Sequence, residues 1–97
     1  MQPTLDTAFL QSPGWLTLSI HAQGALQGML QFATRRNCDW VVDGTAKQLG
    51  DWIGPELSVA PATIITGLRE LDTVGLVRKG RRGGSQSFIV AAPIVER

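Results

Sequence analysis

The spacing of apolar residues changes period at Gly75, and that change limits what this chain can fold into more than any other feature. Before it, Ile64, Leu68 and Leu71 recur at i, i+4 and i+7, the stripe of a helix with one buried face. After it come a strand start, Leu76-Val77, and a returning run from Ser85 to Ala92 that carries Phe88, Ile89 and Val90, separated by Arg78-Lys79-Gly80-Arg81-Arg82-Gly83-Gly84. Runs of this kind around a glycine-rich tip read as a β-hairpin. A chain of 97 residues holds one compact domain, so helix and hairpin must share a core. The expected class is α+β, and multidomain enzymes and solenoid arrays are excluded.

Upstream, Ser19 is a good N-cap, and Ala22, Leu26, Met29, Leu30 and Ala33 follow it at helical spacing. They predict a first helix over residues 19–36, with Arg35 and Arg36 in its last turn, where cations complement the helix dipole. Asn37-Cys38-Asp39 reads as a turn and Trp40-Val41-Val42 as a very short strand. Thr45 with Gln48 three residues on makes a capping box for a second helix, whose apolar side is Ala46, Leu49 and Ile53. Gly54-Pro55 is expected to end it. Ser58 is read as the cap of a third helix, with Pro61 in the first turn and Gly75 as the stop. Pro3 and Ser12-Pro13-Gly14 predict a lead-in without regular structure over residues 1–14, ahead of a domain at 15–92 and a tail at 93–97.

Composition adds limits. Hydrophobic residues are 43% of the chain and charged ones 18%, enough for a core and too little charge for a disordered tail. Nine Lys and Arg against eight Asp and Glu leave a net charge of +1, which names no partner as a sum. Resolved along the chain, four of the nine cations are Arg78, Lys79, Arg81 and Arg82, while Asp43, Asp51 and Glu56 surround helix two. Cys38 has no partner for a disulfide. The first residues lack the basic start of a signal peptide, and Leu16 to Ala33 is interrupted by Ser19, His21, Gln23, Gln27 and Gln31. A soluble, cytoplasmic protein with no membrane contact is expected. With His21 and Cys38 each single, the sequence offers no catalytic residue, no metal site and no cofactor site. Gly80-x-x-Gly83-Gly84 precedes a strand rather than the helix a nucleotide loop requires. Trp15, Trp40 and Trp52 read as core and edge packing.

The order helix, short strand, helix, turn, helix, strand, basic loop, strand resembles the winged helix-turn-helix family of DNA-binding domains over roughly Leu16 to Ala91. Its most specific part is the run from Thr63 to Val77, similar to the end of a recognition helix and the Leu-x-x-x-Gly-Leu-Val passage into a wing. Gly44-Thr45-Ala46-Lys47-Gln48-Leu49-Gly50 is similar to the family's second-helix opening. Trp15-Leu16-x-Leu18-Ser19-x-x-Ala22, with its glutamine-rich helix, resembles the modules of phage and plasmid replication organisers.

The resemblance implies three helices and a small antiparallel wing. Helix three would enter the major groove of double-stranded DNA, with Ser58, Ala62, Thr63, Thr66 and Arg69 nearest the bases. Arg78, Lys79, Arg81 and Arg82, on a mobile glycine-hinged loop, would hold phosphates or probe the minor groove, and Arg35 and Arg36 would add a second basic point. The function so implied is a sequence-preferring DNA-binding protein, a transcriptional regulator or a replication-initiation accessory. A homodimer would gain affinity through apolar ends at Leu5, Phe9, Leu10, Ile94 and Val95. Only Arg69 is charged among the groove-facing positions. The alternative is therefore a protein-interaction adaptor that uses Pro61, Ala62 and Ile65.

Overall fold

The computed structural model describes residues 3–96. In order they form β1 (Pro3–Leu5), α1 (Thr7–Leu10), α2 (Pro13–Leu16), α3 (Ile20–Phe32), β2 (Thr34–Arg36) and β3 (Asp39–Asp43). There follow α4 (Ala46–Leu57), α5 (Pro61–Thr73), β4 (Val77–Arg82), β5 (Ser85–Val90) and β6 (Ile94–Glu96). The fold is α+β with two antiparallel sheets, the pair β1-β6 and a four-stranded sheet in the order β2-β3-β5-β4.

Local signals start the long helices. Ser19 accepts the Ala22 amide at the head of α3, and Thr45 and Gln48 close a reciprocal capping box at the head of α4. The apolar stripes then meet. Leu26 and Met29 of α3, Leu49 and Ile53 of α4, and Ile64 and Leu71 of α5 are fully buried together with Val77 and Phe88 of the sheet. Glycines let the helix backbones approach: a Cβ at Gly67 of α5 would stand 2.6 Å from the His21 carbonyl oxygen of α3, and one at Gly50 of α4 would stand 2.8 Å from the Pro61 carbonyl oxygen of α5.

A polar contact fixes the same α3–α5 junction. The Ser19 amide donates to Glu70 Oε2 at 2.8 Å. That bond, aided by the Ser19 hydroxyl and the nearby His21, holds the Glu70 carboxyl below its ordinary value of 4.5. A depressed carboxylate pKa contributes stability above the unfolded value and loses it as pH falls through the folded one. Glu70→Gln is therefore expected to flatten the acid limb of stability. Thermal unfolding followed from about pH 6 down to about pH 3 should show a smaller drop in the variant than in the parent protein. Parallel curves would remove Glu70 from the acid response.

Among the described residues five helices stand where three were expected, because residues 3–14 of the lead-in are structured. Asp6 caps α1 through the Ala8 amide, and Pro13 occupies the first turn of α2. β1 pairs with β6 from Pro3↔Glu96 to Leu5↔Ile94, so lead-in and tail hold each other. Leu5 is buried, and Phe9, Leu10 and Ile94 pack half-buried against the core. These apolar side chains pack into or against the chain's own core.

Three helix boundaries differ from the expectation. The first long helix stops at Phe32, where Ala33 turns extended (ψ 142°), and Arg35 and Arg36 lie in strand β2 rather than in a helical last turn. α4 runs through Gly54-Pro55 to Leu57 with Pro55 inside it. Ser58 is the left-handed C-cap of α4 (φ 57°), while α5 starts from Ala60 without a side-chain cap. Pro61 sets that start, since a proline biases the preceding residue toward extended backbone, and Ala60 has ψ 145°.

The basic segment is also more regular than a loop. Arg78 to Arg82 belong to β4, paired residue for residue with β5, and only Gly83-Gly84 turn between Arg82 and Ser85. Both glycines have positive φ (60° and 85°), as a two-residue hairpin turn of this hand requires. Asn37-Cys38 make the corresponding turn between Arg36 and Asp39, at φ 52° and 68°.

Candidate nucleic-acid interface

Residues opposite each other in an antiparallel ladder share a face, so the register sorts the cations of the hairpin. Val77, Lys79 and Arg81 lie with Val90, Phe88 and Gln86 on the face packed against the helices. Arg78, Gly80 and Arg82 lie with Ile89, Ser87 and Ser85 on the other. There Arg82 Nη2 pairs with Asp43 Oδ2 across the central strand β5. Four cations adjacent in sequence thus divide into two on the helix side, one exposed on the outer face and one neutralised by a carboxylate. Lys79 and Arg81 also line a shallow depression of about 410 Å³ with Gly80 and Gln86.

α5 contributes its outward stripe. Ile64, Gly67, Leu68 and Leu71 are buried, and Ala62, Thr66, Arg69 and Thr73 recur on the opposite, exposed side. Thr66 donates its hydroxyl to the Ala62 carbonyl at 3.0 Å and Thr73 donates to the Arg69 carbonyl at 2.9 Å. Both threonines have thereby engaged their only side-chain donors. Pro61 is exposed, while Thr63 and Ile65 are half-buried.

The head of α4 connects stripe and hairpin. The Gly44 amide donates to the Gln86 carbonyl at 2.9 Å, beside Arg81 in the hairpin register. Two turns on, Gly50 meets Pro61 and Ile65 at the start of α5. Lys47, exposed in the first turn of α4, lies one turn before Gly50 and so on the flank that α5 crosses. Sequence reasoning did not place Lys47 in the site. Its signal was the capping box, which fixes residue 47 in a first helical turn. Trp52 is 42% exposed, and its ring tip lies 3.1 Å from where a Cβ of Gly44 would stand. Trp15 is buried against Phe9 and Trp40 is half-buried, so Trp52 alone of the three offers a large open surface.

Ala62, Thr66 and Arg69 are exposed along one stripe of α5, with Thr63 half-buried beside it, and Lys79 and Arg81 are exposed on the helix-side face of β4. Ser58 is exposed at the α4–α5 turn, where it caps the preceding helix. Arg35 and Arg36 are exposed on the edge strand at the other end of the sheet from the Gly83-Gly84 turn. Register puts Asp39, the partner of Arg36, six residues along the ladder from the Arg82–Ser85 pair, roughly 20 Å. They do not extend this surface.

A cavity of about 670 Å³ between β1, α1 and α3 is lined by Pro3, Thr4, Leu5, Leu10, Gln27, Leu30 and Gln31, none of them ionisable. Among the described residues no three His, Cys, Asp or Glu side chains converge as metal ligands. No helix among them is long and apolar enough to cross a membrane. Compared with protein-family models, curated proteins and solved structures, the chain matches none of them.

Proposed function

We propose that this protein is a duplex-DNA-binding domain of winged helix-turn-helix type that acts on cytoplasmic DNA in transcriptional regulation or replication initiation. α4 and α5 are the helix-turn-helix, α5 the recognition helix and β4-β5 the wing. One observation carries the reading: α4, with Lys47 exposed in its first turn, is bonded at its head to the hairpin opposite Arg81 through the Gly44 amide and is crossed at Gly50 by the start of α5. A B-form major groove is wide enough for one helix, and cations on either side of that helix fall within reach of the flanking phosphates.

Titration with random-sequence duplex at several salt concentrations tests it. Lys47, Arg69, Lys79 and Arg81 neutralising about four phosphates give a slope of log affinity against log salt near −3.5. No detectable binding at low salt would overturn the reading and leave the Pro61-Ala62 surface as a protein-docking face.

A further inference from the structure

Resting on the DNA reading, we infer that α5 reads duplex DNA through the 5-methyl groups of thymine rather than through hydrogen bonds to base edges. Base-edge readout needs side chains that donate or accept in pairs, such as Arg on guanine or Asn on adenine. The half of α5 that enters a groove first carries none. Its exposed residues there are Pro61, Ala62 and Thr66, with Ile65 half-buried at the flank. Pro61 has no amide hydrogen, and the Thr63 amide is engaged by the Ala60 carbonyl at 3.0 Å. The Thr66 hydroxyl proton is held by the Ala62 carbonyl, so the side chain presents a methyl group and acceptor lone pairs only. Arg69 is the sole exposed donor side chain on this face before the last turn, two turns beyond Ala62, where a recognition helix has moved from the bases toward the backbone.

What remains is a small apolar surface on α5, crossed at its start by α4, which exposes Lys47 in its first turn, while the hairpin bonded to the head of α4 exposes Lys79 and Arg81. That charge pattern fits a polyanion whose groove floor carries apolar groups. In B-DNA the only such groups on the major-groove base edges are the C5 methyls of thymine and of 5-methylcytosine. Adenine–thymine-rich and cytosine-methylated duplexes are the ligand class assigned, and Ala62 and Thr66 are the specificity-determining residues.

The test compares two duplex pairs by fluorescence anisotropy with the full chain, alternating adenine–thymine against the same duplex with uracil and alternating guanine–cytosine against its 5-methylcytosine form, each measured with the parent protein and with Thr66→Ser. Uracil differs from thymine by the methyl alone. Its duplex should bind roughly four- to fifteenfold more weakly, the change expected for one to two buried methyl groups, with the same salt slope. The 5-methylcytosine duplex should bind more tightly than its parent. Thr66→Ser keeps the hydroxyl that bonds Ala62 and removes the methyl, so both ratios should fall toward one. Equal affinity for thymine and uracil duplexes at an unchanged salt slope would overturn the methyl readout and leave DNA binding standing. So would a uracil effect that neither 5-methylcytosine nor Thr66→Ser reproduces, because groove shape would then be the cause. Loss of binding to every duplex at low salt would overturn the DNA reading itself.

Discussion

Gly67→Ala should lower the midpoint of thermal unfolding by roughly 10–20 °C, although alanine is the better helix former by about 1 kcal/mol. The new methyl would stand 2.6 Å from the His21 carbonyl oxygen and 3.1 Å from the Ala22 amide nitrogen. Both are backbone atoms in the first turn of α3, which is pinned by the Ser19 cap and by the Ser19–Glu70 bond. No side chain can swing aside, so α3 and α5 must separate. Separation would loosen Leu26, Ile64, Leu68 and Leu71 together. Overpacking of this kind costs about 1–3 kcal/mol and occasionally more, and each 1 kcal/mol is worth about 4–8 °C in a domain of this length. Circular dichroism melts would measure it. An unchanged or raised midpoint would mean that the two helices are free to slide, contrary to the packing described.

Reversing the helix-side cations of the wing, Lys79→Glu with Arg81→Glu, should weaken binding to any duplex by at least about 100-fold near 0.1 M salt and bring the salt slope to about −2. Both side chains are exposed on β4, and neither supports the core. The folded state should therefore persist, which a melt confirms independently. Arg82→Gln supplies the contrast. Its guanidinium is already paired with Asp43 on the opposite face, so duplex affinity should change less than about threefold, and stability by no more than the 1 kcal/mol typical of an exposed ion pair. If Arg82→Gln weakened binding as much as the double reversal, the division of the cations by register would not govern the interface.

How legible was all this in the chain itself? The features that could be read were those whose cause is local. The Thr45–Gln48 box, the stripe Ile64-Leu68-Leu71, the Gly75 stop and the turn at Asn37-Cys38 each depend on residues within a few positions of one another, and each stands in the structure. What could not be read depends on distant partners. Ala33 to Arg36 continue a plausible helical pattern, yet β3 captures Thr34 to Arg36 as an edge strand. Arg78 to Arg82 look like loop because of Gly80 and their charge, and only the ladder with β5 makes them strand. β1 has no identity without β6. Ser58 was misplaced for a different reason: a serine before an apolar run looks like an N-cap, and Pro61 was the stronger signal. In the candidate site the residue types were visible from the start, but the side each one faces had to come from the register. That is why Arg82 and the Arg35-Arg36 pair fall outside a surface to which Lys47 belongs.

The pairing of Pro3–Leu5 with Ile94–Glu96 also bears on how the chain reaches its folded state. This contact closes a loop spanning nearly the whole molecule, and closure entropy grows with the length of chain enclosed. Two three-residue strands offer few hydrogen bonds in return, whereas the α4–α5 turn and the β4-β5 hairpin close loops of only a few residues. The three long helices and the wing can therefore organise first, with the chain ends docking onto a surface that already exists. On unfolding the order reverses. The end strands are expected to open first, which amide hydrogen exchange would show as lower protection in the strands Pro3–Leu5 and Ile94–Glu96 than along α5.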